Sequence, residues 1–129
     1  MTAQALQIDR ELERLDGLWE DGLQDTYRSY MDAVGAYEPA ERPRLALAAA
    51  LIESGLKLQG LGGRAAAAAP LLMGDLCLAR ASRLLAEHAS QSLQVAFARA
   101  IETMSANAAS GHNGGPVRDF LVLALENGR

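Results

Sequence analysis

Apolar residues recur at intervals of three and four through most of this chain, which is the spacing of one face of an α-helix. In the first long stretch, Leu12, Trp19, Tyr27 and Val34 belong to one such stripe. The apolar half of the sequence is mostly Leu and Ala, and aromatic residues make up only 5%. This composition, poor in β-branched residues, favours helices over strands. The chain is therefore predicted to be all-α.

Proline, glycine and serine residues divide the pattern into about five helices. Proline is tolerated only in the first turn of a helix, so Pro43 marks a helix start, and Pro70 either starts a helix or kinks one that continues from the alanine run before it. The glycine-rich run after Gln59 ends a helix, and Ser90 and Ser92 are candidate N-caps. A chain of 129 residues, half of them hydrophobic, is the size of one domain. We predict a single-domain helical bundle with helices over residues 3–36, 41–58, 70–88, 91–109 and 117–126.

Charge and hydropathy limit the function classes. The net charge is -4 and the pI about 5.1, with arginines scattered among acidic residues, so a nucleic-acid partner is not expected. The most apolar stretch, residues 45–61, contains Glu53 and Lys57, and it falls short of the roughly 20 apolar residues that cross a bilayer. No transmembrane span is predicted. The single cysteine, Cys77, and an N-terminus that reads directly into a charged helix lead us to expect a cytoplasmic protein.

A helical projection of residues 71–87 separates two polar faces. One is largely charged and is expected to be exposed: it carries Leu76, Arg80, Arg83 and Glu87. The other has small side chains that would let a neighbouring helix approach: it carries Asp75, Ala79, Ser82 and Ala86. This second face predicts that Asp75 lies near the packed interior, where a carboxylate needs a hydrogen-bonding or basic partner. A purely structural hydrogen bond is the alternative role for Asp75.

The same stretch carries a resemblance to a known family. Residues 71–86 read Leu-Leu-Met-Gly-Asp-Leu-Cys-Leu-Ala-Arg-Ala-Ser-Arg-Leu-Leu-Ala, which is similar to the "LLxGDxLLARAxxLLA" helix of the trans-prenyl (polyprenyl) diphosphate synthases. Arg42-Pro43 resembles the arginine-proline of that family's early basic motif. Residues 47–59 resemble its helix that ends in the first aspartate-rich motif. The resemblance covers residues 42–88 and implies part of the isoprenoid synthase fold, with Gly74, Asp75 and Arg80 as motif residues.

The chain also departs from that family where the chemistry takes place. Catalytic members hold magnesium against an allylic diphosphate with an Asp-Asp-x-x-Asp cluster, whereas this chain reads Gln59-Gly-Leu-Gly-Gly63 at the corresponding place. Magnesium requires oxygen ligands, chiefly carboxylates, that glutamine, glycine and leucine do not replace. The second aspartate-rich motif is also missing. We therefore expect no catalytic residue, no metal site and no bound cofactor in this chain.

The resemblance is to the small, non-catalytic subunit of heteromeric hexaprenyl and heptaprenyl diphosphate synthases. It implies a catalytic large subunit as partner, with Mg²⁺ bound there, and a role in supporting that subunit's activity and product chain length. Leu51, Met73 and Cys77 are candidates for a chain-length wall or partner face, and they are equally compatible with an ordinary core.

Two further hypotheses stay open. The chain is alternatively a stand-alone helical interaction module, homodimeric and without an isoprenoid role. Asp21 and Asp25, four residues apart beside Glu20, are compatible with a divalent-cation site of a small enzyme or with a solvated helix face. His88 is expected at a helix C-terminus, and His112 lies in a glycine-rich segment that is read as a linker.

Overall fold

The structure, a computed structural model, describes residues 17–60, 68–111 and 116–129. Regular structure in these ranges is entirely helical, which confirms the all-α prediction. A π-helical turn, Trp19–Leu23, precedes α1 (Gln24–Ser29), α2 (Arg42–Leu58), α3 (Ala68–His88), α4 (Gln91–Ala109) and α5 (Val117–Asn127). The positions of α2 to α5 follow the predicted ones closely: α3 begins two residues early, at Ala68 instead of 70, and α5 ends at Asn127 instead of 126.

The predicted helix over residues 3–36 is wrong at its C-terminal end and interrupted in its middle. Gly22 has φ of +142°, which kinks the helical turn, and α1 ends at Ser29. Residues 30–37 then continue through tight turns, such as the Tyr37 N–H bond to the Val34 carbonyl at 3.0 Å. These turns bury Tyr30 and Val34 completely, so tertiary packing replaces the regular helix. Residues 3–16 of that prediction lie outside the described residues.

Helix α2 is the centre of the fold. Pro43 lies in its first turn, where the missing N–H costs no hydrogen bond. Almost every residue from Leu45 to Leu56 is buried, because α2 packs against α1, α3 and α5, with α3 forming the most extensive contact. A helix with so few polar residues is predicted to lie in the centre of a bundle, and the structure confirms this position.

Helices α4 and α5 form a second pair, and α4 packs chiefly on α5. Ser90 caps α4, since its Oγ accepts a hydrogen bond from the Leu93 N–H at 3.1 Å. Of the helices in the part of the chain that the structure describes, none is long and apolar enough to cross a membrane.

Candidate functional site

The family-like segments meet where α2 crosses α3, and two glycines lie at the crossing. A Cβ on Gly74 would lie 2.8 Å from the carbonyl oxygen of Gly55, and a Cβ on Gly55 would lie 3.0 Å from the carbonyl oxygen of Gly74. Only glycine at both positions allows the two backbones to approach this closely. Gly74 is therefore a helix-packing residue of α3.

Asp75, the next motif residue, lies on the surface beside this crossing. Its Oδ1 accepts a hydrogen bond from Nε2 of Gln59, the residue that follows α2. The prediction that Asp75 lies near the packed interior is wrong, because the whole small face that carries it is exposed. The face of α3 directed at the core instead comprises Gly74, Cys77, Ala81 and Leu85. Asp75 does have a hydrogen-bonding partner, and it is Gln59 on the surface instead of a group in the interior.

Arg80 lies on the charged face of α3, which is exposed at its three charged positions as predicted. Arg83 and Glu87 on this face are 3.9 Å apart at Nε and Oε1, and both side chains are more than half exposed. Such a surface pair contributes little to stability. Arg80, Arg83 and Glu87 border a depression of about 180 Å³.

The three residues considered as a chain-length wall differ in exposure. Leu51 and Cys77 are buried in the core, whereas Met73 is half-buried. Burial raises the pKa of the Cys77 thiol to about 11, so the thiol is protonated and unreactive at neutral pH. Leu51 and Cys77 therefore have the environment of ordinary core residues, and their contribution to a wall or partner face stays a prediction.

A buried polar cluster around Glu53 is the feature that sequence reasoning missed. The Glu53 side chain is 2% exposed, and donors from three elements reach it. The Tyr30 hydroxyl donates to Oε1 at 2.8 Å, and Arg118 donates from Nε to Oε1 and from Nη2 to Oε2, both at 3.2 Å. Lys57 Nζ lies 3.1 Å from Oε2. The cluster thus joins the end of α1, the centre of α2 and the start of α5.

The electrostatics of this cluster keep Glu53 ionised. Burial by itself would raise the pKa of Glu53, but hydrogen bonds from Arg118, Tyr30 and Lys57 outweigh burial and hold it below its ordinary value of 4.5. Burial, followed by the charge of Glu53, raises the pKa of Tyr30 far above its usual range. Glu53 is therefore ionised and the Tyr30 hydroxyl protonated at neutral pH, so these two groups hold the cluster together and do not act as an acid–base pair.

The available signal for this cluster was a single glutamate in an otherwise apolar helix. Glu53 lies within the most apolar stretch of the chain, with Lys57 one turn later. A carboxylate at such a position requires hydrogen-bond donors. In the sequence, however, Glu53 and Lys57 stand out only as charged residues that interrupt an apolar stretch. Tyr30 and Arg118 are 23 and 65 residues away from Glu53, so no local pattern links them to it.

The remaining candidates among the described residues lie apart from one another or on the surface. Asp21 and Asp25 are both exposed. Within the described residues, no three His, Cys, Asp or Glu side chains are grouped so that they could hold a metal ion. His88 ends α3 as predicted, with Nδ1 at 3.3 Å from Oε2 of Glu41, while His112 lies outside the described residues.

Comparison with known proteins identifies no relative of this chain. No protein-family model, curated protein or solved structure matches the chain. The likeness of residues 42–88 to the trans-prenyl diphosphate synthases therefore rests on the residue pattern alone, and a function for the chain is a proposal from that pattern and from the contacts described above.

Proposed function

We propose that this chain is a non-catalytic regulatory subunit of a heteromeric trans-prenyl diphosphate synthase. In this role it supports the activity of a catalytic large subunit and the length of the isoprenoid chain that the large subunit makes. The catalytic residues and the Mg²⁺ belong to the partner.

The contact at the α2–α3 crossing is the observation that carries the proposal. Two segments that resemble the family separately, the end of α2 and the Gly74-Asp75 motif of α3, are brought together by the Gly55–Gly74 approach and the Gln59–Asp75 hydrogen bond. The glycine of this motif has a packing role that does not depend on an aspartate cluster. A helical scaffold without metal-binding residues is what a non-catalytic subunit of this type requires.

The residues at this crossing also support the non-catalytic part of the proposal. Gln59 occupies the position where the resemblance predicts the first aspartates, and it binds Asp75 through its amide. An amide and a single carboxylate provide too few anionic oxygens to hold magnesium against a diphosphate. In this proposal the chain contributes structure, and the large subunit binds the magnesium and the diphosphate.

The test is co-expression with a large subunit that bears both aspartate-rich motifs, ideally one encoded beside the gene for this chain. We expect the two chains to co-elute, and the complex to convert isopentenyl and allylic diphosphates to longer products than the large subunit makes alone. The isolated chain should give no product with Mg²⁺. A large subunit that neither binds this chain nor changes product length in its presence contradicts the proposal.

Exposed aliphatic side chains favour the second candidate, a stand-alone homodimeric interaction module. Leu71 and Leu72, adjacent on α3, are 42% and 60% exposed. Such side chains on a small domain indicate a surface that a protein partner covers. Sedimentation equilibrium distinguishes the two candidates, because the module would be a dimer by itself, whereas the regulatory subunit would reach its assembled state only with the large subunit.

A further inference from the structure

Among the described residues, helices α4 and α5 border a groove that is open to the surface. The two helices are antiparallel, since Gly128, just after α5, approaches Leu93 near the start of α4 so closely that a Cβ on Gly128 would lie 2.7 Å from the Leu93 Cα. The groove has a volume of about 650 Å³. It runs along α4 from Gln91 to Thr103, a length of about 18 Å at 1.5 Å per residue.

The walls of the groove have the regular spacing of a helix-binding surface. The α4 wall is formed by residues one helical turn apart, including Val95 and Arg99, and the α5 wall by Phe120, Leu123 and Asn127. Val95 is 41% exposed and Leu123 is 53% exposed, so the aliphatic walls face solvent. Two such rows of side chains, running side by side on α4 and α5, accept the side-chain ridge of a third helix between them. A small ligand would instead need a pocket that encloses most of its surface.

The charge of the groove selects its occupant. Among the described residues that line the groove, Arg99 is the charged one, and none is Asp or Glu. In the described part of the chain, Arg99 forms no ion pair, although the chain as a whole has a net charge of -4. A guanidinium on an apolar wall favours a carboxylate beside the apolar face of the incoming helix.

A two-fold contact between copies of this chain through the groove itself does not satisfy these requirements. In a two-fold symmetric contact the same patch meets itself, so one concave groove would face another and leave a void. Arg99 would also meet a lining that has no carboxylate. The groove is therefore complementary to a surface that this lining does not provide.

We infer that the α4–α5 groove binds an amphipathic helix of a different protein, with aliphatic anchors at helical spacing and a carboxylate placed against Arg99. The inference deepens the proposed function and rests on it for the identity of that protein: the helix belongs to the catalytic large subunit. The groove itself is defined without reference to that identity.

The groove is tested first with a displayed library of amphipathic helical peptides of about 14 residues, long enough to span it, with the polar positions randomised. Selection against the full chain should enrich an acidic residue next to the aliphatic stripe. Leu123→Glu should weaken the selected peptides by at least about tenfold. Leu72→Glu is the matched control, because Leu72 is 60% exposed on α3 outside the groove and should not affect binding. Arg99→Glu should reverse the preference from acidic to basic peptides.

Binders that ignore Leu123→Glu, or selection without an acidic preference, would overturn the inference. The large subunit then separates this inference from the proposed function. If the wild-type chain binds that subunit and the Leu123→Glu variant does not, the groove inference and the proposed function are both supported. If Leu123→Glu binds as well as wild type, the groove is wrong and the proposed function stands. If the subunit does not bind wild type, the proposed function fails and the peptides alone decide the groove.

Discussion

Glu53 shows how one residue organises the core of this protein. Its carboxylate lies among apolar side chains of α2, where an unpaired charge would be strongly unfavourable. Four hydrogen bonds from Tyr30, Arg118 and Lys57 offset that cost. The three donors are unequal: the Lys57 side chain is 64% exposed and the Arg118 side chain 45%, so water screens both, whereas Tyr30 is fully buried.

Replacing Glu53 tests this organisation. Glu53→Gln keeps the shape but removes the charge and one acceptor, so it should lower the free energy of unfolding by about 2 kcal/mol, less than for a fully buried pair because Arg118 is partly solvated. Lys57→Ala, which removes only the exposed partner, should cost less than about 0.5 kcal/mol. Urea denaturation measures both. Equal effects of the two variants would show that the carboxylate does not depend on Tyr30 and Arg118.

Cys77 gives a second prediction at the residue level. The thiol is fully buried and its pKa is raised to about 11, so the reactive thiolate is scarce and inaccessible in the folded protein. An aromatic disulfide reagent should therefore react with the native chain only at the rate of unfolding, and quickly in denaturant. Stoichiometric reaction of the native protein within seconds would contradict the burial.

The α2–α3 pair shows that the close approach of two helices depends on both sequences at once. Each helix contributes one glycine, and each glycine meets the carbonyl oxygen of the other. Gly74 also lies under Gln59, whose Cγ would be 2.6 Å from an added Cβ. The side chain of Gln59 is able to move aside, but the backbone oxygen of Gly55 cannot move without shifting α2.

Gly74→Ala should therefore destabilise the protein by about 2 kcal/mol, even after the gain of up to about 1 kcal/mol in helix propensity. Gly17→Ala is the control, since nothing lies within 4 Å of a Cβ at that exposed position. The control should be neutral or stabilising in thermal unfolding monitored by circular dichroism. A neutral Gly74→Ala would show that the helices are able to separate at the crossing without cost.

The start of α4 depends on a single side-chain cap. Ser90 accepts from the Leu93 N–H, which satisfies a donor that the helix leaves unpaired. Ser90→Ala should cost about 1 kcal/mol, whereas Ser90→Asp should retain the stability because a carboxylate caps equally well. Chemical denaturation of the two variants provides the comparison, and equal loss in both would mean that the hydroxyl has another role.

At the scale of the whole molecule, the Glu53 cluster connects segments that are far apart in sequence. It ties the end of α1 and the start of α5 to one residue at the centre of α2, and Tyr37 adds a hydrogen bond from its hydroxyl to the carbonyl of Leu125. Loss of the cluster should therefore weaken the fold as a unit instead of one helix.

This connection predicts an acid-dependent stability. The folded-state pKa of Glu53 is lowered below its ordinary value of 4.5, so its contribution is complete above that pH and is lost as the pH falls through the lower, folded-state value. The difference in unfolding free energy between wild type and Glu53→Gln should shrink between about pH 7 and about pH 3. Urea titrations at both pH values measure it, and a constant difference would exclude Glu53 as the titrating group.

Much of the architecture was predictable because it depends on local spacing. Helix boundaries depend on residues that act on their neighbours: the prolines, the glycine-rich run after α2 and the Ser90 cap. They predicted the bounds of α2 to α5 to within about two residues. The family-like motif of α3 was also visible, because it is contiguous. The first helix was predicted too long because its stripe continues through residues 30–37, where burial of Tyr30 and Val34 proved compatible with tight turns.

The sequence by itself determined that this chain is helical, where most of its helices begin and end, and that α2 is central, since those properties follow from propensity and from patterns a few residues long. Only the tertiary structure decided the rotation of α3, which exposes Asp75 and directs Gly74 at α2. It also decided which donors form hydrogen bonds to Glu53. The physical reason is that both depend on contacts between helices. Such contacts are fixed by the joint packing of side chains distant in sequence, which no single local pattern encodes.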